Sequence, residues 1–188
     1  MKFTELLIKR RSIRKFQSKK VPLDVIESVI RESTLAPSAG NEQPWKFIIV
    51  NDRGMINRIS SECKKNFLER IENNPADYAK KYQKMLSNEA FNIFYHAPAL
   101  VLILGETGLK NLYVDCALAA SYLMMSATSK GLGTCWVNFG TEIHDPRLKE
   151  ELNIPEDHTI VAPISVGFPE KIPAIPGRKE PQILKVIR

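Results

Sequence analysis

Residues 115–128 read DCALAASYLMMSAT, apolar or small at nearly every position. They sit inside a longer helical stretch, about 109–130. A surface helix shows one apolar stripe. This one is apolar nearly all round, as a helix buried on most faces must be. A chain of 188 residues has little protein with which to bury such a helix, so the pattern predicts that a partner subunit covers part of it.

The segments on either side read as strands. HAPALVLILGE (96–106) is an almost wholly apolar strand, and GLGTCWVNFG (131–140) ends the helix and opens another. Gly131 suits a helix C-cap. Further out, 2–10 and 22–35 read as helices, the second with Pro22 in its first turn and Val25, Ile26, Val29 and Ile30 as its apolar stripe. APSAGNEQP (36–44) is a loop. WKFIIVND (45–52) is a strand, apolar on both faces and therefore predicted to be central. Residues 53–72 and 75–90 read as polar helices joined around NNP, 145–152 as a short helix, and TIVAPISVGFP (159–169) as a fourth strand. Mixed helices and strands with long helical insertions give an α+β or α/β class. After a proline-rich link, QILKVI (182–187) is strand-like. A lone strand is not stable, so it is expected to join a sheet edge, its own or a neighbour's.

Composition narrows the function. Hydrophobic content is 44% and net charge +6, with pI near 9.2. No apolar run reaches 18 residues and the N-terminus has no signal-peptide core, so no membrane and a cytoplasmic location are expected. Cys63, Cys116 and Cys135 are odd in number and form no Cys-x-x-Cys pair, which predicts free thiols and no zinc site. His96, His144 and His158 lack metal-ligand spacing, and no metal is expected. There is no Gly-x-Ser-x-Gly elbow. GLG (131–133) precedes a strand, so it is not a dinucleotide fingerprint. Cys135, in a strand-like run, reads as inert core.

RRSIRKF (10–16) packs four cations into six residues. On charge alone it reads as a basic helix end, plain solubility or an anionic-surface binder. No nucleic-acid-binding pattern accompanies it. PSAGN (37–41), WVN (136–138) and GRK (177–179) are further polar, backbone-exposing segments. Converged, they would form a positive, hydrogen-bonding pocket without an acid–base residue, as expected where a cofactor carries the reaction.

RRSIRKF followed by APSAGNEQPWKFIIV resembles the nitroreductase family of FMN-dependent oxidoreductases. DCALAASYLMMSATSKGLGTCW resembles that family's central helix and next strand, and VGFPEKIPAIPGRK its closing segment, so the resemblance spans nearly the whole chain. It implies one nitroreductase-like FMN-binding domain over 1–188. The implied fold is α+β, a mixed or antiparallel sheet flanked by helices in a domain-swapped homodimer, the C-terminal strand joining the partner's sheet and FMN at the subunit interface. The implied activity passes hydride from NADH or NADPH through FMN to nitroaromatic, quinone or similar acceptors, in a ping-pong course.

By resemblance, Arg10, Arg11 and Ser12 hold the phosphate and ribityl oxygens, and Arg14 is a cation near flavin N1 and O2 that stabilises the reduced form. Pro37, Ser38, Ala39 and Asn41 approach the ring from the partner subunit. Trp136, Val137 and Asn138 lie along the flavin, and Arg178, or its neighbour Lys179, closes on the phosphate. The resemblance leaves the acceptor open. Members of the family also dehalogenate aromatics, break down flavin or oxidise azoline rings, and a non-catalytic flavin carrier stands beside these. Phe67, Tyr78, Tyr82, Phe91 and Phe94 are lid or wall candidates that read better as core.

Overall fold

The structure, a computed structural model, describes residues 2–74 and 76–188. The described residues form six α-helices and four strands: α1 (Phe3–Lys9), α2 (Leu23–Ser33), β1 (Lys46–Val50), α3 (Arg53–Asn73), α4 (Gln83–Leu86), β2 (Ala99–Glu106), α5 (Leu112–Ser129), β3 (Gly133–Trp136), α6 (Pro146–Glu151) and β4 (His158–Gly167). The strands form one antiparallel sheet in the order β1-β2-β4-β3, giving an α+β fold.

β2 explains how the layers form. Side chains of a strand alternate between faces. Leu100, Leu102 and Leu104 enter the core packed against α3, α4 and α6, while Ala99, Val101 and Ile103 enter the core packed against α2 and α5. The sheet is therefore sandwiched, which is why a central strand reads as an unbroken apolar run. Burying each such leucine or isoleucine contributes about 1.5–3 kcal/mol.

Local chemistry sets the helix ends. Asp52 caps α3 by accepting from the Met55 N–H at 2.7 Å. Asp145 caps α6, with Pro146 in the first turn. Gly131, φ +77°, follows the end of α5, in the left-handed conformation that glycine adopts without strain.

The structure corrects two expectations. β1 is an edge strand, not a central one. Its apolar residues reflect helices on both faces, Ile48 packing on one core and Phe47 and Ile49 on the other, and face polarity says nothing about in-plane neighbours. The helix expected over 75–90 is a 3₁₀ turn (Tyr78–Tyr82) running into the single turn of α4; its first residue, Pro75, lies outside the described residues. Asp77 accepts from the Ala79 N–H at 2.7 Å, a local bond that starts a tight turn instead of a long helix. The strand expected to open within 131–140 is β3, which ends at Trp136 and gives way to a 3₁₀ turn, Asn138–Thr141.

Residues 170–188 are exposed and make no strand within the chain. No helix among the described residues is long and apolar enough to cross a membrane.

Candidate functional site

The basic segment leaves α1 in extended form and docks alongside β3. Ser12 bridges Thr134 in parallel, and the Ile13 N–H donates to the Thr134 carbonyl at 2.9 Å. Phe16 bridges Pro169, with the Gln17 N–H donating to Phe168 O at 2.9 Å and the Glu170 N–H to Lys15 O at 3.0 Å. Gly133 makes this approach possible. A Cβ there would stand 2.5 Å from Ile13 Cγ1, so any larger residue would push the segment off β3.

Extended backbone sends alternate side chains to opposite sides. Ile13 is buried and Arg11 shares its side, the two lining a mostly apolar cavity of about 540 Å³ with Thr128, Ser129 and Gly133. Arg10, Ser12 and Arg14 face the other way. Both Arg10 and Arg14 act on the Cys135 thiol: burial pushes it up, and the two guanidinium charges oppose the rise. The Arg14 Nε–H donates to the Tyr95 hydroxyl at 3.2 Å, and this bond is the main reason its pKa stands above the ordinary arginine value. The three cysteines are free and buried, and burial, with Asp115 beside it, lifts Cys116 to about 11.

The expected contact residues fall into separate groups. Trp136 is half-buried and packs towards α2 and α5, Val137 is buried, and Asn138 is exposed. Both backbone groups of Val137 are committed, its N–H to Pro163 O at 2.8 Å and its carbonyl to the Gly140 N–H at 2.9 Å. Asn138 and Trp136 share a cavity of about 430 Å³ with Tyr113. Pro37, Ser38, Ala39 and Asn41 form an exposed or half-exposed loop with a 3₁₀ turn. Ser38 Oγ accepts from the Gln43 N–H at 3.0 Å, and Asn41, at φ +58°, accepts from Gln43 Nε2 at 3.2 Å.

That loop is tied to the opposite end of α5 from the arginines. The Ala39 N–H donates to Asp115 Oδ1 at 3.1 Å, in the first turn, whereas Arg11 and Ile13 line a cavity with Thr128 and Ser129 of the last. Thirteen or fourteen residues at 1.5 Å per residue separate them by about 20 Å. Within one protomer the loop and the arginines therefore lie apart. Arg178 belongs to the exposed terminal segment; the described hydrogen bonds and ion pairs do not bring it to Arg10–Arg14.

Two residues escaped the sequence reading. Asp115 is only 2% exposed and leaves its second oxygen, Oδ2, without a partner among the described residues; its signal was visible as the lone charge in an apolar helix. Tyr95 had none, since neither it nor His96 is a turn-type residue. Phe67 and Phe94 are core, 1% and 0% exposed, while Tyr78 is 59% exposed.

The model of the Nitroreductase family matches residues 7–168. An Archaeoglobus fulgidus protein, whose assignment as an NADH dehydrogenase/NAD(P)H nitroreductase is provisional, is 29% identical over 172 residues, covering 88% of this chain and 84% of its own length. Iodotyrosine deiodinase 1 of Sus scrofa is 29% identical over 205 residues, covering 98% of this chain and 68% of its own length. The crystal structure of a nitroreductase with bound FMN from Bacteroides fragilis superposes with a TM-score of 0.81 at 24% identity, over 98% of this chain and 97% of that one, a likeness of fold.

Proposed function

The chain belongs to the nitroreductase family, and from that premise we propose that it is an FMN-dependent oxidoreductase. It takes reducing equivalents from NADH or NADPH and delivers them to nitroaromatic, quinone or similar acceptors in a ping-pong course. The observation that carries this reading is the alternation of the docked segment, with Arg10, Ser12 and Arg14 on one side of it. Extended chain rises about 3.3 Å per residue, so Arg10 and Arg14 stand about 13 Å apart. That spacing suits an elongated ligand with phosphate at one end and a ring at the other.

Arg10 and Ser12 hold the phosphate and ribityl oxygens, the guanidinium matching phosphate geometry with paired N–H donors. Arg14 lies at the ring's N1 and O2 edge, where a fixed cation favours the extra charge of the reduced form. Arg11, turned towards Ile13, contributes long-range charge. Asn138 offers polar contact along the ring. When bound, FMN supplies hydride acceptance and return, chemistry that no side chain here offers.

The placement of loop and arginines at the two ends of α5 supports a homodimer. With the two α5 helices antiparallel across a twofold axis, the partner's Pro37–Asn41 loop would meet this protomer's arginines, and FMN would lie at the subunit interface. The tail 182–187 is suited to the partner's β1, whose outer edge is open, because Ser12 already occupies the β3 edge. Arg178 would then close on a phosphate.

The experiment is the visible spectrum and flavin content of the purified protein, followed by anaerobic titration with NADH and NADPH. Yellow protein releasing FMN, bleached by a nicotinamide and recoloured by a nitroaromatic or quinone, is expected. Colourless protein that does not take up FMN would overturn the reading, and flavin that never bleaches would leave a carrier. Arg10→Ala should weaken binding of oxidised and reduced FMN alike, by about tenfold or more, given about 1.5–3 kcal/mol for a hydrogen bond to a charged group. Arg14→Ala should lower the midpoint potential. Equal potentials in the two variants would refute the division of roles.

The similarity to iodotyrosine deiodinase 1 across 98% of this chain supports a second reading, reductive dehalogenation. Iodide release from iodotyrosine by the reduced protein, measured beside nitroaromatic turnover, separates the two.

A further inference from the structure

We infer that Tyr95 is a positioning residue for Arg14: a strained turn holds its hydroxyl where it fixes the guanidinium that favours reduced flavin. This rests on the reading of Arg14 just given.

The turn runs from Phe94 to Ala97, closed by the Ala97 N–H donating to Phe94 O at 3.1 Å. Its central residues, Tyr95 and His96, have φ of +58° and +54°. Two successive positive φ values are what Asn-Gly or Gly-Gly supply in such a turn. For a side chain with a Cβ, each left-handed residue costs roughly 1–2 kcal/mol. The chain uses a bulky aromatic at the first position all the same.

The surroundings hold the turn in that shape. The Ile93 N–H donates to Ser60 Oγ at 3.0 Å, the Phe94 N–H to Asn92 Oδ1 at 2.8 Å, and Asn92 Nδ2 to Asn57 Oδ1 at 2.8 Å. Ser165 Oγ, from β4, donates to Phe94 O at 3.1 Å. Buried bonds to α3 and to the sheet thus over-determine a conformation the local sequence disfavours, which is how strain persists in a folded chain.

The strained turn carries the Tyr95 ring to Arg14. The hydroxyl accepts from Nε at 3.2 Å, and the guanidinium carbon lies 5.7 Å from the ring centroid. Phe91 braces the ring edge-on, centroids 6.0 Å apart. A guanidinium has five N–H donors. With Nε–H engaged by Tyr95, the four Nη protons stay directed away from it, available to an anionic edge. An exposed arginine without such a brace would sample many rotamers, and its charge would be felt less at any one point.

The test is a redox titration of FMN-loaded wild type, Tyr95→Phe, Arg14→Ala and the double variant, with the affinity for oxidised FMN measured on each. Tyr95→Phe keeps the ring and the turn and removes one hydrogen bond. It should cut the preference for reduced over oxidised FMN by about three- to tenfold, a fall of about 15–30 mV for a two-electron couple. Affinity for oxidised FMN should hold. Arg14→Ala should lower the potential further, and adding Tyr95→Phe to it should change nothing more. An unchanged potential in Tyr95→Phe beside a lowered one in Arg14→Ala would overturn the inference. So would an equal fall in both backgrounds, which would mean that the hydroxyl acts on the flavin directly. If Arg14→Ala leaves the potential unchanged, the reading of Arg14 itself fails.

Discussion

His96 shares the left-handed turn with Tyr95, but its side chain is exposed and makes no described hydrogen bond. Strain at 95 brings a ring to Arg14, and strain at 96 returns no comparable contact. His96→Gly should therefore stabilise the fold. Relief of the left-handed penalty, about 1–2 kcal/mol, exceeds the extra freedom glycine gains in the unfolded chain, about 0.5–1 kcal/mol. A net gain of about 0.5–1 kcal/mol in urea unfolding is expected, with the flavin potential unmoved; a loss of stability would mean that the imidazole does work in the fold. Gly133 shows the opposite constraint, as its missing side chain is the space that Ile13 fills.

Among the elements, α3 restrains the loop that follows the Asn138–Thr141 turn. Glu62 Oε1 accepts from Asn66 Nδ2 at 2.8 Å, from the Asp145 N–H at 2.9 Å and from the His144 N–H at 3.3 Å. Asn66 Nδ2 also reaches Glu142 O at 2.8 Å, and Arg70 pairs with Glu142 at 2.6 Å and with Asp77 at 2.9 Å. Phe139, within that turn, packs edge-on against Phe67 and Tyr82, centroids 4.9 and 5.3 Å apart. Partial burial would raise the Glu62 pKa, but its hydrogen bonds outweigh this and hold it below the ordinary value. A carboxylate depressed by folding contributes stability that is full above its unfolded pKa, about 4.3, and is lost as pH falls through the folded value. Glu62→Gln should be less stable than wild type at pH 7, and the gap should close below about pH 4. Urea unfolding at both pH values checks this. A gap that persists in acid would assign the loss to packing rather than charge.

At the scale of the whole molecule, apolar surface is left uncovered along α5 and near the chain's two ends. Val114, Leu118 and Tyr122 form an i, i+4, i+8 stripe along α5, at 62%, 36% and 43% exposure, and Phe3, Leu7 and Leu35 are exposed too. Ile183, Leu184 and Ile187 of the tail are exposed as well. In the proposed homodimer these surfaces cover one another. Truncation after Arg178 removes residues 182–187, the segment proposed to join the partner's sheet. Losing the burial of two leucine-sized side chains alone is about 3 kcal/mol or more, which would raise the dimer dissociation constant by about a hundredfold or more. FMN occupancy should fall with it. Sedimentation velocity of both forms is the check, and a flavin-loaded monomer of the full chain would contradict the arrangement.

Much of this protein was determined locally and could be read along the chain. The 3.6-residue stripe of α2, the unbroken apolar run of β2, the all-round apolar helix α5 and the glycine after it depend on neighbours a few positions away. So does the alternation that turns Arg10, Ser12 and Arg14 to one side, once the segment is known to be extended. The tertiary structure alone decided what lies beside what. It put β1 at the edge although both its faces are covered, because strand order depends on which backbones pair, and side-chain polarity does not record that. It set the Pro37–Asn41 loop and the arginines at opposite ends of α5, so that neighbouring motifs in sequence became separate in space. It brought Tyr95 to Arg14 across 81 positions, by way of a turn whose residues disfavour it locally. Side-chain periodicity carries information over a turn or two of chain. Contacts at that range are chosen by the packing of the whole core, which can impose a conformation that the local residues would not adopt by themselves.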